Sequence, residues 1–395
     1  MKKILALLIL TTYLTGFSQN KEKDTSEYLS STVTIFLDNN TKSGSGFIVD
    51  NGKIVTNLHV IEGNKNGYAI VNGTDTKHKI EGYFDYDSKT DLTVLSVPTL
   101  KGKPLTLANE QPKIGDKVFA FENPIIYSET ILEGKIIYTS NSTTNGIIKT
   151  SIPFTYGNSG GALINLKGQV IGVVSYAIIS DIDNLKAGYA IDVSFLKSLL
   201  EKRNKVNKKL NIIKGSHHYI NESQLKYVVQ DYSGAISDLN KSIKLNPELF
   251  ISYYNRASIK LKLNDLKGSI DDCNKSLEII PNFVLAYNVR GLAKMILKDI
   301  NGAINDFNKS IEIDNNFASA YNARGLAKAI LKNIDEAIID INKAIEIDPK
   351  NYLFYISRGN INYFSGLENE GCQDFQRAKE LGFSDAQTLI NKFCD

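Results

Sequence analysis

From about residue 216 onward the chain repeats itself every 34 residues. Tyr219, Tyr253, Tyr287, Tyr321 and Tyr355 keep that step, and so do Asp238, Asp272, Asp306, Asp340 and Asp374. Arg256, Arg290, Arg324 and Arg358 follow the same interval, each succeeded by a small residue: Ala257, Gly291, Gly325 or Gly359. A fixed period of this length leaves few folds open. One unit is too small to bury its own apolar face, so units must stack into a solenoid. Leu292, Met295 and Ile296 lie at helical spacing, as do Ile304, Phe307 and Ile311, which makes each unit a helix pair. Pro247, Pro281 and Pro349 fall at turns between units, where a missing N–H does no harm. About five units fit. The first carries Glu222 where the others have arginine, as a terminal unit can. The Arg and Asp columns read as a structural ladder between paired helices, because a column present in every unit serves the stack. Binding specificity belongs to positions that vary.

The first half is different text, with short β-rich runs punctuated by glycine. Its densest feature is Gly157-Asn158-Ser159-Gly160-Gly161. One reading is a tight turn between two strands. The other is a turn that exposes the Ser159 hydroxyl and points the N–H groups of Gly157 and Ser159 at one spot, an oxyanion hole spanning Gly157, Asn158 and Ser159. A base and an orienting acid upstream favour the second. The chain has four histidines. His59 ends the apolar run Ile54 to Val60, His78 sits in a polar stretch, and His217 and His218 lie far beyond the serine in the repeat text. Asp91 opens the apolar run Asp91 to Val97, whereas its rivals Asp85 and Asp87 have polar, turn-like neighbours. The order His59, Asp91, Ser159 differs from the serine-first and aspartate-first arrangements of two other triad folds and is that of the chymotrypsin fold.

The flanking residues resemble the HtrA/DegP branch of the trypsin-like proteases. The likeness rests on Gly44-Ser45-Gly46-Phe47-Ile48-Val49, Ile54 to Val60, Thr90 to Leu95, Gly157 to Leu163, and Gly188-Tyr189-Ala190-Ile191. It implies a serine endopeptidase with His59 as base, Asp91 as its orienting acid and Ser159 as nucleophile. The implied fold is a pair of six-stranded antiparallel barrels over about residues 27–200, with the triad between them. Pro153, Phe154, Tyr156, Ser175 and Tyr176 would help line the substrate pocket. Glu122 stands where that family usually has glycine. The period and pattern of the second half resemble tetratricopeptide repeats, with Gly291, Ala303, Phe307 and Ser310 in one unit and Gly325, Ala337, Ile341 and Ala344 in the next. The fold class is thus multidomain: an all-β double-barrel trypsin-like domain followed by an all-α solenoid over 216–382. By resemblance, the solenoid's concave face would hold a protein or peptide partner, and the protease domain would act on unfolded polypeptide.

Lys2-Lys3, the apolar run from Ile4 and the small residues Gly16 and Ser18 read as a signal peptide over residues 1–18, hence export to the periplasm or outside the cell. The apolar stretch is shorter than the ~20 residues of a spanning helix. A net charge of +3 is too small to argue for nucleic acid. No His/Cys cluster has ligand spacing, so neither a metal nor an organic cofactor is implied. The basic segment 201–215 reads as a flexible linker. Residues 383–395 read as a capping helix, antiparallel to the last repeat helix across a turn at Gly382-Phe383. Cys372 and Cys394 are then both about eleven residues from Phe383 and face each other, which suggests a disulfide in an oxidising compartment.

Overall fold

The computed structural model describes residues 26–37, 42–122, 130–139, 146–152, 154, 157–177, 188–201, 206, 210 and 214–394. The expected signal segment lies outside them. Among the described residues no helix is long and apolar enough to cross a membrane.

After a short helix α1 (Ser26–Leu29), strands β1 (Thr32–Leu37), β2 (Lys42–Asp50), β3 (Lys53–Asn57), β4 (Gly67–Val71), β5 (Lys77–Lys79), β6 (Gly82–Asp87) and β7 (Leu92–Ser96) form one antiparallel sheet. Its order is β5-β4-β1-β2-β3-β7-β6. Seven strands replace the six expected, because the short β5 adds to the β4 edge. The two edge strands are consecutive in sequence, separated by Ile80 and Glu81 alone. Ile80 N–H donates to Gly67 O on one edge and Glu81 N–H to Ser96 O on the other. The sheet therefore curls closed through its covalent chain, around Val33, Ile35, Ile48, Ile54 and Leu95.

The second unit is a closed six-stranded barrel of β8 (Lys117–Glu122), β9 (Thr130–Thr139), β10 (Ile147–Thr150), β11 (Ala162–Asn165), β12 (Val170–Ala177) and β13 (Gly188–Asp192). Val118, Ile148, Leu163, Ile171 and Ala190 fill it. Helix α2 (Leu58–Ile61) follows β3 directly, and α3 (Val193–Glu201) follows β13 and packs across to the first sheet.

Ten helices make five pairs: α4 (Ser216–Val228) with α5 (Tyr232–Leu245), α6 (Phe250–Lys262) with α7 (Leu266–Ile279), α8 (Val284–Ile296) with α9 (Ile300–Ile313), α10 (Ala318–Ile330) with α11 (Ile334–Ile347), and α12 (Tyr352–Phe364) with α13 (Glu368–Glu380). Helix α14 (Ala386–Phe393) closes the stack, and the Cys372 and Cys394 sulfurs are bonded at 2.08 Å across it. The turn inside a pair repeats its chemistry. Gln230, Asn264, Lys298 and Lys332 take positive φ, and Asp231, Asp265 and Asp299 then cap the second helix by accepting the N–H of Gly234, Gly268 and Gly302. A Cβ on those glycines would fall 2.0–2.3 Å from the capping carboxylate.

The Arg and Asp columns form the expected ladder and add a rung. Arg290 binds Asp306 through Nε (3.0 Å) and Nη2 (2.6 Å), while its Nη1 reaches Asn274 of the preceding unit (2.7 Å). Arg256, Arg324 and Arg358 repeat this with Asn240, Asn308 and Asn342. The bidentate fork suits arginine, and the third nitrogen ties each unit to the last. In the first unit Lys226 and Lys241 hold Asp238 instead, which leaves Glu222 for His218, 3.8 Å away.

The two halves share buried surface. Leu210, within the expected linker, is buried among core residues of the first sheet. Ile147 and Tyr189 of the barrel share one apolar cluster with Ile280, Phe283 and Phe317 of the repeats. Leu210 and the Ile147–Tyr189 cluster thus place the first sheet, the barrel and the repeats in shared apolar contact.

Candidate active site

The site begins at the end of β3. Asn57 Nδ2 and the Leu58 N–H both donate to the carbonyl of Asp91, at 3.0 and 2.9 Å. Asp91 sits just before β7 with φ +59°, a left-handed conformation that aspartate tolerates better than most residues. This backbone turns its fully buried carboxylate toward α2. Oδ1 accepts the His59 N–H at 2.9 Å, and Oδ2 lies 2.6 Å from His59 Nδ1.

The serine turn is fastened to the first sheet. Ser45 in β2 donates its N–H to Ser159 O (3.0 Å) and its hydroxyl to Gly157 O (2.5 Å). Gly160 has φ +90°, and a Cβ there would stand 2.2 Å from both Ser45 O and Thr56 Oγ1. Only glycine fits. Gly157 also has positive φ, and Asn158 is buried. Among the described residues, no backbone carbonyl accepts the N–H of Gly157 or Ser159.

Ser175 on β12 joins the pieces. Its carbonyl accepts the Ser159 hydroxyl at 3.0 Å, and its own hydroxyl donates to Asp91 Oδ2 at 3.2 Å. The Ser175 side chain, expected at the pocket wall, is thus turned to the aspartate. Phe154 is buried in the second barrel's core, where its ring covers Gly188. Pro153 and Tyr156, and the side chains of Tyr176 and Glu122, lie outside the described residues.

Sequence reasoning missed His217. The start of α4 packs on α2 and brings His217 Nδ1 to 3.9 Å from Asp91 Oδ1. In the later units this column holds Ile251, Leu285, Ser319 and Leu353. That departure was the available signal, and it resembled the ordinary decay of a terminal repeat. Glu62, three residues after His59, is buried beneath the same helix and accepts the N–H groups of Gly215 and His218.

The charges act on one another. Burial pulls the His59 pKa down, but the Asp91 charge, its hydrogen bond and Glu62 outweigh this and hold it above 6.5. Burial pushes Asp91 up, and His217 and His59 more than reverse it. His217 is lowered, chiefly by burial, with His59 adding to the effect while Asp91 and Asp87 oppose it. Burial and the neighbouring Asp91 raise Glu62 to about 7 against the helix N–H groups.

A family model described as a trypsin-like peptidase domain matches residues 44–173. Tetratricopeptide repeat models match 251–283, 284–317 and 318–351. A probable periplasmic serine endoprotease, DegP-like, of Buchnera aphidicola subsp. Baizongia pistaciae is 34% identical over 40% of this chain and 35% of its own length. The mitochondrial serine protease HTRA2 of Drosophila persimilis is 30% identical over 49% of this chain and 44% of its own length. The chain thus spans less than half of these curated relatives. The solved serine endoprotease from Yersinia pestis is 27% identical, covering 45% of this chain and 64% of that one, with a TM-score of 0.39. The chain carries a trypsin-like serine-protease domain, similar to the DegP-like and HTRA2 proteases, fused to a C-terminal tetratricopeptide repeat array.

Proposed function

We propose that the protein is a serine endopeptidase that cleaves polypeptide through His59, Asp91 and Ser159. The observation that carries this reading is the 2.6 Å pairing of the His59 ring with a fully buried carboxylate, linked through Ser175 to a serine whose turn needs glycine at Gly160. Asp91 holds the Nδ1 proton, so the opposite ring nitrogen is the base. The Ser159 hydroxyl rotates off Ser175 O, gives its proton to His59 and attacks the scissile carbonyl carbon. The N–H groups of Gly157 and Ser159, with the Asn158 peptide between them, receive the oxyanion. His59 then protonates the departing amine, and water hydrolyses the acyl ester by the same route.

The pocket wall would come from residues 153–156 and from the β12 backbone at Ser175-Tyr176. The name of the periplasmic DegP-like relative and the basic, apolar N-terminal segment together support export to the periplasm or beyond. The repeats would hold a protein or peptide partner. A second reading, a binding scaffold with a gated protease domain, is favoured by the Ser159 hydroxyl resting on Ser175 O. Fluorophosphonate labelling and cleavage of unfolded casein, each compared with Ser159→Ala, test the proposal. Labelling and cleavage that vanish in the variant support it. A wild type that neither labels nor cleaves rejects it.

A further inference from the structure

We propose that His217 is a positioning residue for Asp91, supplied by the repeat half, so that docking of the array completes the candidate catalytic site. The inference rests on the peptidase reading above.

Asp91 shows how much the array contributes. Oδ2 is engaged by the His59 ring and the Ser175 hydroxyl, and Oδ1 by the His59 N–H. The remaining approach to Oδ1 is covered by the His217 ring, which is itself 4% exposed. Without α4 this side of the carboxylate would open to water. Solvation would weaken its hold on the His59 ring, because a charge pair weakens as the local dielectric rises. With α4 in place, two imidazoles flank one buried carboxylate.

The placement of His217 is built rather than incidental. Its helix starts at Gly215, and a Cβ there would lie 2.3 Å from Glu62 Oε1. Glu62 accepts the N–H of the capping residue Gly215 and of His218 in the helix's first turn, and it follows His59 by one helical turn. The array is fixed a second time on the other barrel. Lys149 of β10 stands 3.7 Å from Asp314 and 5.5 Å above the Phe317 ring. Two contacts, the first unit on one barrel and the third-unit end at Asp314 and Phe317 on the other, set the register of the array against the catalytic elements. The groups acting on His217 are Asp91, His59 and Asp87 from the protease, with His218 and Glu222 next to it on its own helix.

The test uses the full chain with His217→Phe, which keeps ring volume without nitrogen, and His217→Gln, which restores a polar side chain facing the carboxylate. Activity on a fluorogenic casein is measured across pH, with near-ultraviolet circular dichroism to follow packing. We expect His217→Phe to lower kcat about tenfold with KM within about twofold, as for loss of a group that acts through the base. Its acidic limb moves to lower pH, because an Asp91 that is less firmly positioned holds the His59 proton less tightly. His217→Gln recovers most of the rate. Gly215→Ala, whose Cβ crowds the Glu62 carboxylate under the start of α4, is expected to reproduce the kcat loss and gives an independent readout should His217→Phe fold poorly. An active wild type whose His217→Phe and Gly215→Ala forms keep kcat and the pH limb would overturn this inference alone. A wild type that neither cleaves nor labels would overturn the peptidase reading and this one with it.

Discussion

Lys149 of the second barrel and Asp314 of the third repeat unit are both buried, with Nζ and Oδ2 3.7 Å apart. Removing one member of such a pair strands a charge away from water. Lys149→Met should therefore destabilise the docked array by ~3 kcal/mol, and adding Asp314→Asn should recover much of that loss. Urea unfolding of the single and double variants checks this. A single variant with an unchanged midpoint would show that the contact contributes nothing.

His59→Ala, Asp91→Asn and Ser159→Ala should each lower kcat/KM by about 10³-fold or more, and the double variants should lose little further, because the three act as a unit. The wild-type rate should rise with pH through a limb above 6.5, since His59 must be neutral and its pKa is held above that value. Silencing by His78→Ala, whose ring instead meets Thr99 at 3.2 Å, would reject the assignment.

Glu62 gives a stability signature of opposite sign to an ordinary salt-bridged acid. Its folded pKa is raised from 4.5 to about 7, so between those values the folded state holds more protons than the unfolded one. Its contribution is full below pH 4.5 and is lost as pH rises through 7. Glu62→Gln should match wild type near pH 4.5 and exceed it by at most about 3 kcal/mol at pH 8. Melting curves at the two pH values decide it, and a variant weaker than wild type at pH 8 would refute it.

We predict a native bond between Cys372 and Cys394. Exported protein should then show no reactive thiol when folded, one in denaturant and three after reduction. The single thiol is Cys273, whose burial pushes its pKa far up and keeps it protonated. Two thiols freed by denaturant would be inconsistent with that pattern, and three would mean that the bond is absent. Loss of the bond in Cys372→Ser should weaken the terminal cap by ~3 kcal/mol in the chain-entropy view.

Periodicity and local motifs carried most of the architecture. The 34-residue step made the helix pairs and their Arg–Asp ladder readable, because a solenoid is set by contacts between neighbouring units. The histidine, aspartate and serine were readable because each sits at a strand end or turn whose composition marks it. The seventh strand was not, since Lys77–Lys79 is short and polar and gains its place only from the β4 edge. His217 and Glu62 were not either. A histidine in a degenerate repeat and a glutamate after an apolar run have no chemistry of their own in one dimension. Their surroundings arise only when α4 folds back over α2, a contact between distant segments that no local pattern encodes. The sequence by itself determined two kinds of domain and the order of a candidate triad. Tertiary structure alone decided that the array covers the aspartate, because burial and the field of neighbouring charges exist only once both halves pack together.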